Sequence, residues 1–290
     1  MSTIQIMTDS ASDISEEDEK AYNIDIIPFP ITLGGKSYTS RVDFNNQEFF
    51  DLMKEHENDI PTTAQITPFQ FMEIYTKQAE KGVEDLILVL INSKGSSTYD
   101  NAAQAISTFY DEHPECKDAF RIHCFDGLGY NAIYGTPVIE AAKMVKEGKS
   151  ADEIDEYLAD ILPYRQIYFG IYDLKYAGKS GRIPTAAAFV GSKLNIKPVM
   201  KIFDREITTA AKCRGEKKLI DKVVDLTLED MAEGEPYDVM YGDNPEDCEK
   251  IAKIMEEKVG YPPSNYFQIG AAVAANAGPR VIGVGFNRKR

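Results

Sequence analysis

Residues 86–92, LILVLIN, form a continuous apolar run that ends in an asparagine. A run without polar alternation is typical of a strand covered on both faces, as strands of parallel sheets are. The next residues, 93–98 (SKGSST), are dense in hydroxyl groups and lead into a helical pattern near residues 99–110. We therefore predict a parallel strand, a polar loop and a helix, which is the repeating unit of an α/β fold.

The same unit recurs elsewhere in the first half of the chain. Short strands are predicted at residues 4–7 and 121–126, and a helix is predicted over residues 131–146 after the second of them. Ligands of parallel sheets bind at the carboxyl ends of the strands. The expected binding loops are therefore 8–13 (TDSASD), 61–68 (PTTAQITP), 92–98 (NSKGSST) and 126–131 (DGLGYN).

Prolines and caps delimit other elements of this half. Pro28 and Pro30 interrupt an apolar segment at residues 24–33, which places it at a sheet edge or makes it irregular. Ser12 or Asp13 is predicted to cap a helix that begins near Ser15. Further helices are predicted over residues 46–55, 67–81 and 151–162.

The second half has a different pattern, in which strands follow one another more closely. Asp204 and Arg205 are a predicted hairpin turn between two of them. Strands are predicted at residues 166–172, 197–203, 206–212, 237–241, 266–274 and 281–286, and helices at 217–231 and 247–259. We predict an α/β protein of two domains: an α/β domain with a parallel sheet at residues 1–160, and an α+β domain with a mostly antiparallel sheet at residues 161–290.

Charge and composition exclude several classes of function. The chain has 47 acidic and 32 basic residues, a net charge of −15, which argues against a nucleic-acid-binding surface. The four cysteines form no C-x-x-C pair, and with three histidines no metal-ligand spacing appears. We expect a cytoplasmic protein without a signal peptide, a membrane-spanning segment or a metal.

Residues 174–183, LKYAGKSGRI, form a basic segment after the strand predicted at 166–172. A glycine-containing turn of this kind can surround an anion with N–H groups, and Arg182 can grip a carboxylate or phosphate. A small-residue helix is predicted at 185–194. An ordinary basic surface turn explains the segment equally well.

Two short segments resemble nucleotide-binding patterns. Residues 178–180 (GKS) resemble the end of a P-loop, but the position that requires glycine is Asp173, so this pattern fails. Residues 127–132 (GLGYNA) fit the loose G-x-G-x-x-A pattern of dinucleotide sites. The second pattern leaves open an enzyme or binder that uses a phosphorylated or nucleotide ligand at this loop.

Catalytic constellations are missing from the candidate loops. None of the histidines, His56, His113 and His123, falls in one of them, and no paired acidic motif suggests metal-dependent phosphoryl transfer. Small apolar stretches at residues 186–190 and 270–275 leave room for an apolar ligand body, although close helix–sheet packing explains them too. The pattern favours a binding protein over an enzyme, and an interaction module whose ligand only stabilises the fold is a further alternative.

Taken together, the motifs resemble those of the DegV family of bacterial fatty-acid-binding proteins. The resemblance covers nearly the whole chain, and it rests on the order and spacing of several short motifs. These are residues 8–13 (TDSASD), 61–65 (PTTAQ), 93–99 (SKGSSTY), 174–176 (LKY) with 181–183 (GRI), 195–198 (NIKP), 212–215 (KCRG) and 278–279 (GP).

The resemblance implies the function of the chain and its site. It implies a non-enzymatic carrier of a long-chain fatty acid. The fatty acid is its ligand, and no cofactor is expected. The tail would be buried in the C-terminal domain, with the carboxylate at the domain interface. A separate fatty acid kinase would phosphorylate the bound acid for phospholipid synthesis. The residues placed around the ligand are Thr63, Ser96, Ser97, Thr98, Arg182, Asn276, Gly278 and Arg280.

Four positions depart from the family pattern. Asn276 stands where the family has a histidine before its Gly-Pro pair, and Arg280 replaces the glycine after that pair. Ala64 and Ser97 replace a serine and a glycine. An asparagine can donate a hydrogen bond to a carboxylate but cannot titrate, so these changes bear on kinase coupling more than on acyl binding.

Overall fold

A computed structural model describes residues 3–183 and 195–290. The helix predicted at 185–194 and the apolar stretch at 186–190 lie outside the described residues. The strands are β1 (Ile4–Asp9), β2 (Ile24–Ile27), β3 (Pro30–Leu33), β4 (Lys36–Thr39), β5 (Thr62–Thr63), β6 (Asp85–Leu90), β7 (Arg121–Asp126), β8 (Arg165–Ile171), β9 (Ile196–Phe203), β10 (Glu206–Arg214), β11 (Tyr237–Tyr241), β12 (Asn265–Gln268) and β13 (Val281–Asn287).

The helices of the described ranges alternate with these strands. They are α1 (Glu16–Tyr22), α2 (Asn46–Glu55), α3 (Pro68–Glu80), α4 (Thr98–Glu112), α5 (Ala132–Lys146), α6 (Ala151–Ile161), α7 (Leu174–Ser180), α8 (Leu219–Asp230), α9 (Pro245–Val259) and α10 (Ala271–Ala277). None of them is both long and apolar enough to cross a bilayer.

The first sheet is parallel throughout, with the strand order β2-β1-β6-β7. All six residues of β6 are buried, which confirms the interpretation of the apolar run at 86–92 as a strand covered on both faces. The segment at 24–33 divides at Pro28 and Phe29. Its first part, β2, is the edge strand of this sheet, and its second part, β3, lies in a small antiparallel sheet of order β4-β3-β5.

The second sheet has the order β10-β9-β8-β13-β11-β12. Its neighbours are antiparallel, apart from the parallel pair β11 and β12. Asp204 and Arg205 join β9 to β10 with positive φ angles of 46° and 67°, as a two-residue turn with the right twist for a hairpin requires. The predicted α/β class, with one parallel and one mostly antiparallel sheet, is thereby confirmed. The division at residue 160 stays a prediction.

Strand β13 separates two cores. Ile282, Val284 and Phe286 face a core that also holds residues of α8 and α9. The opposite face carries Val281, Gly283 and Gly285, toward the first half of the chain. A Cβ added at Gly285 would lie 3.0 Å from Cβ of Ala132 in α5. Glycine therefore allows α5 to lie directly against the second sheet.

A buried ion pair fastens the two halves at the same place. Nη2 of Arg165 in β8 lies 2.5 Å from Oδ2 of Asp238 in β11, and both side chains are at most 2% exposed. The same nitrogen donates to the carbonyl of Ala132 at 2.6 Å. Asp238 also accepts hydrogen bonds from Thr136 at 2.7 Å and from Asn265 at 2.8 Å. The carboxylate is thus shared by one helix and two strands.

Two local predictions are wrong. The cap of α1 is neither Ser12 nor Asp13 but Ser15, whose Oγ accepts the N–H of Asp18 at 3.0 Å. The strand predicted at 266–274 ends at Gln268, and the alanines after it form α10. Alanine has the highest helix propensity of all residues, so this buried apolar run folds as a helix once it has left the sheet.

Candidate functional site

A cavity of about 510 Å³ lies between the carboxyl end of the parallel sheet and one face of the second sheet. Pockets of roughly 300–1,000 Å³ are typical of small-molecule sites. Its polar lining comes from three of the four loops predicted to bind a ligand, 61–68, 92–98 and 126–131, and from two later segments. Loop 8–13 contributes no residue to the described lining. Among the described residues this lining consists of Thr63, Gln65, Ser93, Lys94, Ser96, Ser97, Tyr130, Asn131, Arg182 and Asn276.

The loop after β6 is held to the loop before α3 by hydroxyl groups. Oγ of Ser96 and Oγ1 of Thr98 share a hydrogen bond of 2.9 Å. Thr98 Oγ1 also accepts the backbone N–H of Ile66 at 3.2 Å. Ser96 and the exposed Ser97 line the cavity, whereas Thr98 is fully buried and outside the described lining. Thr98 therefore positions Ser96 and is not itself placed to contact a ligand.

The β9–β10 hairpin is held to the loops after β6 and β7. Asp126 accepts hydrogen bonds from Ser93 Oγ at 2.6 Å and from Arg205 Nε at 2.7 Å. The side chain of Asn92 donates to the carbonyl of Arg205 at 2.9 Å. These contacts fix the second sheet against the carboxyl end of the first one, beside the polar side of the cavity.

A second cavity of about 430 Å³ adjoins this polar side. It shares Lys94, Gly95, Tyr130, Arg182 and Ile207 with the first cavity. Lys94 also forms an ion pair with Glu206 of β10. The polar end of the main cavity is therefore the end nearest to the β9–β10 hairpin.

Apolar side chains line the remainder of the main cavity. Ala272 and Val273 of α10 line it, and they belong to the small apolar stretch at 270–275 noted in the sequence. The other apolar lining residues among those described are Phe29, Ala64, Ile91, Phe169, Ile183, Ile202, Ile207, Met240, Ala277 and Val281. The cavity is thus amphipathic, with hydroxyl, amide and basic groups confined to part of its wall.

The basic segment at 174–183 differs from the predicted turn. Its first seven residues form α7, and Gly181 ends this helix with a φ angle of 72°. Arg182 follows in an exposed position, where its Nη1 donates to the carbonyl of Ser180 at 2.9 Å. It lines both cavities. The guanidinium therefore lies at the rim and not in a buried pocket.

Asn276 reaches the cavity from α10. It is partly buried, and its Nδ2 donates to the carbonyl of Ala272, one turn earlier, at 2.8 Å. This bond directs one N–H into the helix. The second N–H and Oδ1 of the amide are the groups that an asparagine retains for a ligand.

Two further predicted site residues, Gly278 and Arg280, are not among the described residues that line the cavity. Gly278 ends α10 with a φ angle of 88°, and a Cβ there would lie 3.0 Å from the Tyr176 ring. Arg280 lies 4.0 Å over the ring of Tyr172 and forms ion pairs of 3.1 Å with Asp247 and Glu216. Its charge is already compensated by these two carboxylates.

Two buried carboxyl groups beneath the polar loops were missed by the sequence analysis. Oδ1 of Asp13 accepts the N–H of Gly270 at 2.8 Å, and Oδ2 accepts from Asn131 at 2.8 Å. Asp9 accepts a hydrogen bond from Tyr134 at 2.6 Å. Burial raises the pKa of Asp9 to about 6 and that of Asp13 to about 7, although hydrogen bonds oppose the change. Asp13 thereby joins the β1 loop to the start of α10.

Tyr130 adds a hydroxyl group to the polar end. Burial raises its pKa to about 12, against the opposing effects of Arg182 and of a hydrogen bond with Asn92, so the hydroxyl keeps its proton at neutral pH. A Cβ added at Gly95 would lie only 1.8 Å from this oxygen. Glycine at position 95 is therefore what admits the tyrosine, a relation between two loops that the sequence pattern does not reveal.

The glycine pattern at 127–132 folds as a tight turn. The N–H of Gly127 donates to Leu90 O at 2.7 Å, and the N–H of Asn131 donates to Ala11 O at 2.8 Å. The first N–H of α5, that of Ala132, is taken by the side chain of Asn131 at 2.7 Å. A pyrophosphate site needs such groups free, so the geometry gives the nucleotide alternative no support.

The histidines lie away from the cavity lining described here. His123 is held between Asp155 at 2.5 Å and Asp85 at 3.1 Å, and the hydrogen bond to Asp155 is the main cause that raises its pKa. The described residues contain no group of three or more histidine, cysteine or acidic side chains that could hold a metal ion. The cavity groups are suited to hydrogen bonding and charge pairing.

An α/β fold with an amphipathic cavity between its parallel sheet and its mostly antiparallel sheet is the class that these features define. A family model described as "Uncharacterised protein, DegV family" matches residues 3–289. A DegV domain-containing protein of Caldanaerobacter subterraneus is 32% identical over 292 residues, which cover all of both chains. The chain belongs to the DegV family.

Solved structures have the same architecture. A stearic-acid-binding protein of Eubacterium ventriosum has a TM-score of 0.88 at 23% identity, over 100% of this chain and 99% of that one, and shows the fold. DegV of Bacillus subtilis, described as a fatty acid binding protein, has a TM-score of 0.83 at 26% identity over all of both chains. A DegV family protein of Eubacterium eligens is loaded with heptadecanoic acid.

Proposed function

We propose that this protein binds one long-chain fatty acid in the 510 Å³ cavity and acts as a carrier without chemistry of its own. The observation that carries the proposal is the division of the cavity wall into a hydroxyl-rich end and an apolar remainder. A fatty acid has the same division, and burying its methylenes contributes about 0.8 kcal/mol each. The fatty acids named for the related structures support this ligand class.

The carboxylate is proposed to lie at the hydroxyl-rich end. Thr63 and Ser96 can donate hydroxyl hydrogen bonds, Asn276 can donate its second amide N–H, and Arg182 can approach from the rim. The protonated hydroxyl of Tyr130 is a further donor on this wall. We also propose that residues 1–160 and 161–290 act as two domains with the head group at their interface, because both halves contribute to the lining.

Mass spectrometry of the purified protein tests the proposal directly. Under native conditions the protein is expected to carry an excess mass that disappears on denaturation and matches one fatty acid in the organic extract. Delipidated protein is expected to take up added fatty acid with a stoichiometry of one. Protein that carries no lipid and also ignores added fatty acids would contradict the proposed ligand class.

Replacing Arg182 with alanine is expected to weaken fatty-acid binding by less than about tenfold, because charges at a rim act mainly on association rate and salt dependence. Stopped-flow association at low and high salt checks this. Arg214→Ala removes an exposed arginine at the end of β10 that is outside the described cavity lining, and it is the matched control. A loss of a hundredfold or more, independent of salt, would show that Arg182 closes over the carboxylate.

We further propose that the loaded protein presents its carboxylate to a fatty acid kinase in the cytoplasm. The family resemblance supports this role, and the rim position of Arg182 and Lys94 leaves the head group near the surface. The test is production of acyl phosphate from the loaded protein, ATP and a bacterial fatty acid kinase. Asn276→His restores the residue of the family pattern and is expected to raise the rate. Fatty-acid binding without any acyl phosphate from either protein would contradict the coupling.

A further inference from the structure

The cavity runs across the second sheet and not along its strands. Ile207 of β10 is shared with the adjoining polar cavity and marks the head-group end. Met240 of β11 lines the same cavity four strand positions away, because β9, β8 and β13 lie between β10 and β11. Neighbouring strands are about 4.8 Å apart, so the two residues are separated by about 19 Å across the sheet. This separation suits the extended tail of a long-chain acid.

Met240 lies at the end of that path. It is buried on the cavity-facing side of β11, among Phe169, Val281 and their neighbours. The next strand, β12, contributes no residue to the described lining. The apolar path therefore ends at the Met240 side chain.

The place of the methionine depends on a glycine in the neighbouring strand. Met240 pairs with Gly283 of β13, and Gly283 pairs with Phe169 of β8. A Cβ added at Gly283 would lie 2.9 Å from Cε of Met240 and 2.8 Å from Cβ of Phe169. The missing side chain thus provides the space into which the thioether end of Met240 folds.

We propose that Met240 closes the cavity and sets the longest acyl chain that this protein accepts. This inference rests on the proposed function and deepens it. Methionine has an unbranched side chain with three rotatable bonds, so it can adjust to chain ends of slightly different length. Tails that reach β11 contact its thioether, and longer tails must displace it.

The test is a binding series of saturated fatty acids of increasing length, measured on delipidated wild type and on Met240→Ala. The shortened side chain is expected to move the tightest-binding acid to a longer chain. Each additional methylene that becomes buried is expected to tighten binding about fourfold. Met240→Phe fills the same end and is expected to move the optimum to a shorter chain, so the proposal remains testable if one variant does not fold.

Met200→Ala is the matched control. Met200 of β9 is fully buried, and it pairs with Phe169 on the same face of the sheet, but it is outside the described cavity lining. Its truncation removes the same atoms and is expected to leave the optimum unchanged. If the Met240 variants still bind fatty acid but prefer the same chain length as the wild type, the inference about Met240 is overturned and the proposed function is not. Failure of the wild type to bind any acid of the series overturns the proposed function as well.

Discussion

Arg165→Leu is expected to lower the free energy of unfolding by about 3–5 kcal/mol, because it leaves the Asp238 carboxylate buried without its cation. Asp238 is 1% exposed and keeps its hydrogen bonds from Thr136 and Asn265, but neither donor carries a charge. The variant also removes the bond to the carbonyl of Ala132 in α5. Urea unfolding at pH 7, followed by circular dichroism, measures the loss.

Two further variants test whether the unpaired Asp238 charge causes the loss of stability in Arg165→Leu. Arg165→Leu combined with Asp238→Asn removes the unpaired charge while it keeps an acceptor oxygen for one of the two donors, so it is expected to recover part of the stability. Arg290→Leu breaks an exposed arginine–aspartate pair with Asp160 and is expected to have a far smaller effect. Equal losses from Arg165→Leu and Arg290→Leu would contradict the central role of the buried pair.

The stability of the wild type is expected to fall between pH 5 and pH 8 by about 2–3 kcal/mol through Asp13 alone. Its pKa is about 7 in the folded protein, against an ordinary value of 3.8 that serves for the unfolded chain. Between these two pH values the folded chain holds a proton that the unfolded chain has lost. Stability falls with pH wherever the folded state binds more protons. The contribution is therefore present at low pH and is lost as pH rises through 7.

The difference between wild type and Asp13→Asn isolates this effect, because both proteins share every other titrating group. Urea unfolding at intervals between pH 5 and pH 8 is expected to give a flatter profile for the variant, whatever its absolute stability. Asp111→Asn, an exposed position at the end of α4, is the control and should keep the wild-type slope. Parallel profiles for wild type and Asp13→Asn would show that Asp13 is ionised at pH 5.

The sequence predicts those elements whose pattern is local. The apolar run of β6, the bounds of β7 (Arg121–Asp126) and the Asp204–Arg205 turn follow from periodicity and turn chemistry, and the structure has all three. The hydroxyl loops that line the cavity were also predicted, because parallel strands bring their carboxyl ends to one edge. The antiparallel second sheet followed from closely spaced strands.

Long-range polar contacts could not be predicted in this way. Asp13 meets Asn131 and Gly270, which are 118 and 257 positions away, and nothing in the local pattern distinguishes it from an ordinary cap. The strand prediction for the alanine run after Gly270 was wrong for another reason. Over a short stretch, buried apolar residues fit a strand or a helix equally well. Arg182 was predicted to bind the ligand and it lines both cavities, but its exposure depends on how α7 ends.

Both sheets contribute residues to the cavity wall, so a bound ligand stabilises the folded state of both halves together. A molecule held there contacts the parallel half and the antiparallel half together, and it is released when either half opens. Mass action then adds about 2.7 kcal/mol of stability at a free ligand concentration one hundred times the Kd. The melting temperature is therefore expected to rise with the fraction of protein that holds a ligand. Preparations that differ only in lipid content are expected to melt at different temperatures.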